Sequence, residues 1–316
     1  MNNARSVMEL SGSILQTIGR TPVVRLQRMV PANAADVLVK LEYHNPTGSY
    51  KDRMALAMIE GAERRGALEP GMRVLEFTGG STGNSLAFVC AVKGYRFTVV
   101  TNDAVAIEKR LAMRAFGAEV IEIKSEGGKL TPDLVGRMRE VTAKLAAEPG
   151  TYFTDQFNNL DALDGYRQIA TELLEQTGGK VDVYCGCVGT GGMIRGVGRG
   201  FSEAGCRPKV VALEPLESAP MSGGTPGPHT VEGVAPGFIP PHMKEKPYSE
   251  VRAIPEQQGR EIARRLAREE GIFAGTSSGL NVAAAIQLAQ EFGPGHTVAT
   301  VAVDTGNKYL AGDLYR

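Results

Sequence analysis

The chain has 316 residues, 42% of them hydrophobic and none of them tryptophan, a length that allows two domains and a sizeable core. Its 35 lysines and arginines balance 35 aspartates and glutamates, and the lack of a basic stripe or acidic tail argues against nucleic acid or an anionic membrane surface as a partner. Residues 1–15 lack the apolar run of a signal peptide and no stretch approaches the ~20 apolar residues that span a bilayer, so the expected location is the cytoplasm.

From the N-terminus, short β-branched runs alternate with segments of helical period. A strand is predicted over 37–41, a helix over 52–65, a strand over 73–77, a helix over 82–93, a strand over 97–101 and a helix over 107–116. There follow a strand over 119–123, helices over 132–147 and 160–176, a strand over 181–185, a helix over 193–204 and a strand over 209–213. Helices over 256–270 and 280–291 and a strand over 297–303 complete the series. Such alternation predicts an α/β fold with parallel sheets flanked by helices. Glu148-Pro149-Gly150 is a candidate domain boundary. The stretch 221–247 is rich in Gly and Pro and reads equally as a functional lid or as plain surface irregularity.

Cys185-Gly186-Cys187 invites a metal reading, but no second Cys or His cluster stands at ligand spacing, and no metal is expected. The two thiols alternate along a strand and face one side, so buried free cysteines are the preferred reading.

The segment Asn45-Pro46-Thr47-Gly48-Ser49-Tyr50-Lys51-Asp52-Arg53 joins the first strand to the first helix. A residue before proline is biased away from helix, so Asn45-Pro46 ends the strand region. Gly48 permits a tight turn, and Asp52 suits a first helical turn, where a carboxylate complements the dipole. Lys51 then falls at the mouth of a helix, where the dipole and partial burial both lower its pKa, as a Schiff-base lysine needs. The ordinary alternative is a solvated surface lysine.

Two glycine loops tip that balance. Thr78, Gly79, Gly80, Ser81 and Thr82 follow the 73–77 strand and open a helix, where backbone N–H groups nest a carboxylate or phosphate. Alone, this loop would read as an ordinary strand-to-helix turn. Gly189, Thr190, Gly191, Gly192 and Met193 form a second such loop. A dinucleotide site competes there, because Glu214 stands about 20 residues on, where a ribose-binding acid belongs; the third fingerprint glycine, however, falls on Ile194. A Walker loop is excluded because no Gly-Lys-Ser/Thr follows. A lysine with two anion cradles is what an enzyme using pyridoxal 5'-phosphate (PLP) requires: an imine at the lysine, one cradle for the cofactor phosphate, one for a substrate carboxylate.

From Thr17-Ile18-Gly19-Arg20-Thr21-Pro22 to Asp304-Thr305-Gly306-Asn307-Lys308-Tyr309-Leu310, the order and spacing of these motifs resemble the cysteine synthase and cystathionine β-synthase family of PLP-dependent β-family enzymes, closest to the cysteine synthase branch. The resemblance implies the two-domain PLP fold type II (tryptophan synthase β-like), with a smaller domain over 45–155, a larger one over 1–44 plus 156–316, and a homodimer. It implies PLP on Lys51, its phosphate at Gly189, Thr190, Gly191, Gly192 and Met193, its ring hydroxyl near Ser81, and its pyridine nitrogen at Ser277 of Gly275-Thr276-Ser277-Ser278-Gly279. It places the amino acid at Thr78, Gly79, Gly80, Ser81 and Thr82, with Gln156 and Gly233 beside it. The chain departs from the family pattern at Gly79 (Ser), Ser81 (Asn), Met193 (Thr) and Ala235 (Gly). A rival register puts Thr82-Gly83-Asn84-Ser85 on the first-loop motif and restores the Asn, but it shortens the interval to Gly94-Tyr95.

The implied reaction is β-replacement on an activated L-serine such as O-acetylserine, through a Lys51 aldimine and α-aminoacrylate. Sulfide or another nucleophile adds, giving L-cysteine or another β-substituted alanine. A hydroxyl at the pyridine nitrogen cannot keep it protonated as an aspartate can, which suits β-elimination chemistry better than transamination. Net β-elimination (a serine/threonine dehydratase or a desulfhydrase) and a catalytically silent PLP-binding relative stay as alternatives. So do a plain capping role for Ser277 and Ser278 and an exposed loop position for Gln156.

Overall fold

The computed structural model describes residues 10–103, 105, 107–126 and 132–316; residues 1–9 of the expected larger domain lie outside them. Among the described residues ten strands run in chain order: β1 (Val23–Arg25), β2 (Asp36–Leu41), β3 (Arg73–Phe77), β4 (Arg96–Asn102), β5 (Glu119–Ile123), β6 (Thr151–Phe153), β7 (Val183–Cys187), β8 (Lys209–Pro215), β9 (Glu250–Ile254) and β10 (Thr297–Ala302). The helices are α1 (Lys51–Arg64), α2 (Ser81–Lys93), α3 (Ile107–Ala115), α4 (Pro132–Ala146), α5 (Asp161–Thr177), α6 (Gly192–Glu203), α7 (Glu256–Arg265) and α8 (Thr276–Phe292).

The strands form two sheets, one ordered β1-β2-β10-β7-β8-β9 and one ordered β5-β4-β3-β6. Every pairing is parallel except β1 with β2. The fold is thus α/β with parallel sheets flanked by helices, as expected. Side chains alternate across the sheets as period two demands. In β7, Val183, Cys185 and Cys187 join the core with α8, while Tyr184 joins the core with α5 and α6. The thiols are buried and free, as read from the sequence.

All predicted elements are present, with shifted ends. β7 lies two residues later than expected, and α8 starts at Thr276 rather than 280. The predicted 256–270 helix is α7 followed by a π-helical turn over Leu266–Glu270. β1, β6 and β9 were not predicted. The 221–247 stretch holds only 3-10 turns, at Pro220–Ser222 and Pro241–Met243. No helix among the described residues is long and apolar enough to cross a membrane.

α1 buries Met54, Ala55, Met58, Ile59 and Ala62, a helical stripe that seats its N-terminus in the protein's interior. It lies hard against α5: a Cβ on Gly165 would sit 2.3 Å from the Arg53 carbonyl oxygen. The same crossing carries a buried ionic cluster. Arg53 Nε and Nη2 donate to Glu42 at 2.7 and 2.8 Å, and Nη1 and Nη2 donate to Glu172 at 2.6 and 2.8 Å. Lys40 Nζ stands 2.7 Å from Glu172. The cluster ties α1, two residues after Lys51, to β2, to the turn that follows β2, and to α5.

Candidate active site

Lys51 is the first residue of α1 and is 8% exposed. The loop before it is held from several sides. Ser49 Oγ accepts from the Lys51 N–H at 3.3 Å, and the Asp52 carboxylate accepts from the Thr47 N–H at 2.8 Å and the Thr47 hydroxyl at 2.5 Å. The segment after β10 runs antiparallel to it: Tyr50 N–H donates to Val303 O at 3.1 Å and Thr305 N–H to Gly48 O at 3.0 Å. Lys51 Nζ stands 4.8 Å from the Tyr50 ring centroid and 5.9 Å from that of Tyr166. Among the described residues it makes no hydrogen bond or ion pair. Burial pushes its pKa down to about 8, against the pull of Asp304 and Glu76.

The first glycine loop runs from β3 into α2, whose helix starts at Ser81 with Gly80 as N-cap. The nest therefore lies at 79–82, where the ungapped register puts it. Asn84, the residue of the rival register, is already inside the helix, its N–H bonded to Gly80 O at 3.4 Å. Gly80 N–H donates to Thr78 Oγ1 at 3.2 Å, and Thr82 Oγ1 donates to Gln156 Oε1 at 2.8 Å. Gln156 is buried, not an exposed loop residue. Glu76, at the end of β3, holds it there by accepting from the Gln156 N–H at 3.0 Å and from the Thr154 hydroxyl at 2.7 Å. Burial raises the Glu76 pKa to about 7.

The second loop runs from β7 into α6, which begins at Gly192 with Gly191 in the left-handed region (φ +85°). A Cβ on Gly191 would lie 2.7 Å from Met243 Cγ, and one on Gly189 would lie 2.3 Å from the Gly233 carbonyl oxygen. Gly233 thus sits against the second loop, and Ala235 N–H donates to Val188 O at 2.8 Å. Ala235, at φ +44°, holds a left-handed conformation that glycine adopts more readily. The Met193 side chain turns into the core, where its sulfur accepts from Tyr184 Oη at 2.8 Å, so only its backbone faces the loop.

Ser277 is the second residue of α8 and is buried. Gly275 caps that helix with no side-chain cap, so neither serine serves as one. Ser278 Oγ instead accepts from the Val303 N–H at 2.9 Å. Ser277 Oγ makes no hydrogen bond among the described residues.

These features fit PLP. Lys51 offers an amine with no hydrogen-bonding partner among the described residues, the Gly189–Gly192 turn opens a helix and is packed so closely that no side chain fits at Gly189 or Gly191, and the Ser277 hydroxyl makes no hydrogen bond among the described residues. Gly189→Ala tests the cradle, because the clashing atom is backbone oxygen. The apoenzyme of this variant is expected to bind PLP at least about tenfold more weakly in a fluorescence titration, a loss of about 1.4 kcal/mol. Unchanged affinity would remove the loop from the site.

A buried amine kept releasable near neutral pH, in a chain with two glycine loops at helix N-termini, suits a PLP enzyme, and the chain belongs to the pyridoxal-phosphate dependent enzyme family, whose profile matches residues 14–304. Within it, the chain is 43% identical over 306 residues, 96% of each chain, to a cysteine synthase of Staphylococcus aureus (strain Mu50 / ATCC 700699). The crystal structure of an O-ureido-L-serine synthase superposes with a TM-score of 0.88 at 38% identity, covering 97% of this chain and 96% of that one. That of the cysteine synthase from Entamoeba histolytica gives 0.90 at 34% identity, covering 100% and 93%. The fold is therefore that of the fold type II PLP enzymes.

Sequence reasoning missed a set of charged residues beside the site. Asp304 is buried, with Tyr309 Oη donating to its two carboxylate oxygens at 3.2 and 3.0 Å. Lys308 Nζ donates to Ser81 Oγ at 3.3 Å and to Gly48 O at 3.4 Å. Lys109 of α3 is ion-paired with Glu232. Asp304 and Lys308 lay inside a motif used only for its resemblance; Lys109 looks like any helical lysine.

Proposed function

We propose that the chain catalyses PLP-dependent β-replacement on an activated L-serine, giving L-cysteine or another β-substituted L-alanine. The observation that carries this is the buried Lys51 amine, which makes no hydrogen bond or ion pair among the described residues, in a chain with two glycine loops at helix N-termini. Gly189, Thr190, Gly191, Gly192 and the Met193 backbone would hold the cofactor phosphate, and Ser277 Oγ would meet the pyridine nitrogen. Ser81, whose hydroxyl accepts from Lys308 Nζ, would lie near the ring hydroxyl. Bound there, PLP would supply an amine-reactive aldehyde and a ring able to withdraw electrons from Cα.

The α2 N-terminus at Thr78–Thr82 and the Gln156 side chain orient the substrate through its carboxylate. Lys51 Nζ takes the Cα proton, holds it while the β-substituent leaves and the nucleophile adds at Cβ, and returns it to Cα. A pKa near 8 suits a base that must also give its proton back. The Tyr50 and Tyr166 rings keep water from that nitrogen. Gly233 and Ala235, packed on the second loop, couple the segment at the site's mouth to the cofactor cradle. The division into 45–155 and the remainder belongs to the same proposal, supported by the four-stranded sheet lying wholly within 45–155. A homodimer is proposed on the resemblance alone, and the cytoplasmic location expected from the sequence is kept as a proposal.

The test is the holoenzyme with O-acetyl-L-serine, with and without sulfide, read by mass spectrometry. Cysteine formed only with sulfide is expected. Pyruvate and ammonia at the same rate with or without sulfide would make the enzyme a β-eliminating lyase, and no product from any serine derivative would sink the catalytic reading.

A further inference from the structure

We propose that Lys109 binds the α-carboxylate of the amino-acid substrate, and that Glu232 occupies Lys109 until that carboxylate arrives. The inference rests on the function proposed above, since it needs an amino acid seated at the first glycine loop.

Lys109 projects from α3 toward the nest. Its Nζ would stand 3.9 Å from a Cβ on Gly80, the N-cap of α2, and it lies 5.5 Å from the Tyr309 ring centroid. One residue further on, Lys308 Nζ donates to Ser81 Oγ at 3.3 Å. Two ammonium groups therefore stand near a helix N-terminus whose Gly79, Ser81 and Thr82 N–H groups meet no acceptor among the described residues. A carboxylate placed there would receive backbone N–H groups and a charged donor together.

The two partners of the Lys109–Glu232 pair are unequally placed. The Lys109 side chain is 5% exposed, whereas that of Glu232 is 44% exposed. A buried ammonium gains much from a carboxylate in contact with it, beyond the more distant attraction of Asp304, while a half-exposed carboxylate gives up little when it is released to water. Glu232 belongs to the segment that packs on the second loop, and its own N–H reaches Thr276 Oγ1 at 3.3 Å. Its carboxylate can leave Lys109 by side-chain rotation while this backbone anchor stays. Exchanging one carboxylate for another keeps Lys109 paired throughout, so the exchange costs little. A ligand with no carboxylate has nothing to put in place of Glu232. The pair then acts as a selectivity device that favours amino acids over amines.

The prediction has a sign that an ordinary structural ion pair cannot mimic. Removing either member of a merely structural pair disturbs the site in the same direction. Under the exchange, Glu232→Gln removes a competitor and Lys109→Gln removes a ligand. L-Alanine, which carries no β-leaving group, is titrated into the holoenzyme by calorimetry, with L-alaninamide as the control. Glu232→Gln is expected to tighten L-alanine binding about three- to tenfold, and Lys109→Gln to weaken it at least about tenfold, with little change for L-alaninamide in either. In the Lys109→Gln background, Glu232→Gln is expected to have no further effect. Shifts of the same sign in the two single variants, or equal shifts for the amide, would overturn the exchange and leave the function above intact. Glu232→Gln alters a half-exposed side chain and decides the matter even if Lys109→Gln fails to fold, because an unchanged or weakened L-alanine affinity refutes the proposal. A wild-type holoenzyme that bound no amino acid would overturn the proposed function and this inference together.

Discussion

Lys51→Met is expected to abolish turnover while making the apoenzyme more stable. The two effects share one cause. In the folded chain the ammonium is removed from water with no ion pair among the described residues, and burial outweighs the pull of Asp304 and Glu76 to bring its pKa from the ordinary 10.5 to about 8. At about 1.4 kcal/mol for each tenfold change in proton affinity, this corresponds to about 3 kcal/mol of destabilisation. Below about pH 8 both folded and unfolded chains carry the proton, and the penalty is complete. Between about 8 and 10.5 only the unfolded chain holds it, so stability rises with pH across that window. Methionine fills much the same space and brings no charge. Urea unfolding of the two apoproteins at pH 7 is expected to favour the variant by up to about 3 kcal/mol, and the wild type's gain between pH 8 and 10.5 is expected to be absent from it. Turnover of the PLP-loaded variant is expected to fall at least about 10³-fold, since the residue that moves the Cα proton is gone. Near-normal turnover would end the catalytic assignment; a variant less stable than wild type would show that the amine is not held under strain.

Arg53→Met, only two residues away, is expected to have the opposite effect on stability. Its guanidinium is also buried, but it is shared between two carboxylates with good geometry. Removing it leaves both carboxylates in the interior without their shared cation, Glu172 keeping Lys40 and the Arg20 N–H as partners. Losing one member of such a buried cluster costs about 3–5 kcal/mol. Burial alone would raise the Glu172 pKa, yet Arg53 and Lys40 hold it down at about 2. A depressed carboxylate contributes stability above its unfolded pKa, near 4.5, and loses that contribution as pH falls toward 2. The wild-type protein is therefore expected to lose stability steeply over this acid range. In Glu172→Gln that part of the acid transition should be absent, at a cost in stability at pH 7. Urea midpoints at pH 7 and pH 3 check both statements, and an Arg53→Met protein as stable as wild type would show the cluster to be dispensable.

The contrast shows what local sequence can and cannot report. The turn before Lys51, the two glycine loops and the serine at the α8 N-terminus are each built within about ten residues, and their backbone requirements are written in Gly, Pro and Ser. They were legible, and the structure brings them together. The Arg53 cluster was not, because its members are drawn from β2, the turn after it, α1 and α5, and each charge in isolation looks like surface. Lys109, Glu232, Asp304 and Lys308 were hidden for the same reason. The Met193 departure was legible as a change of residue but not as a change of direction: the core around Tyr184 takes the side chain, and the loop keeps only backbone. Among the strands, β1 and β6 have three residues each, too few to show a period, and they lie at sheet edges where little burial is demanded. β9, half-buried along most of its length, also ends its sheet.

The placement of β10 sets an order of events in the cell. This strand lies between β2 and β7, and the residues just after it brace the turn that carries Lys51. While the ribosome is still adding the 297–305 stretch, β2 and β7 have no neighbour to join them, and the reactive amine has no fixed surroundings. Capture of the vitamin must then wait until the 297–305 stretch has been made. A nascent chain halted before that point would expose two unpaired strand edges to chaperones or to one another.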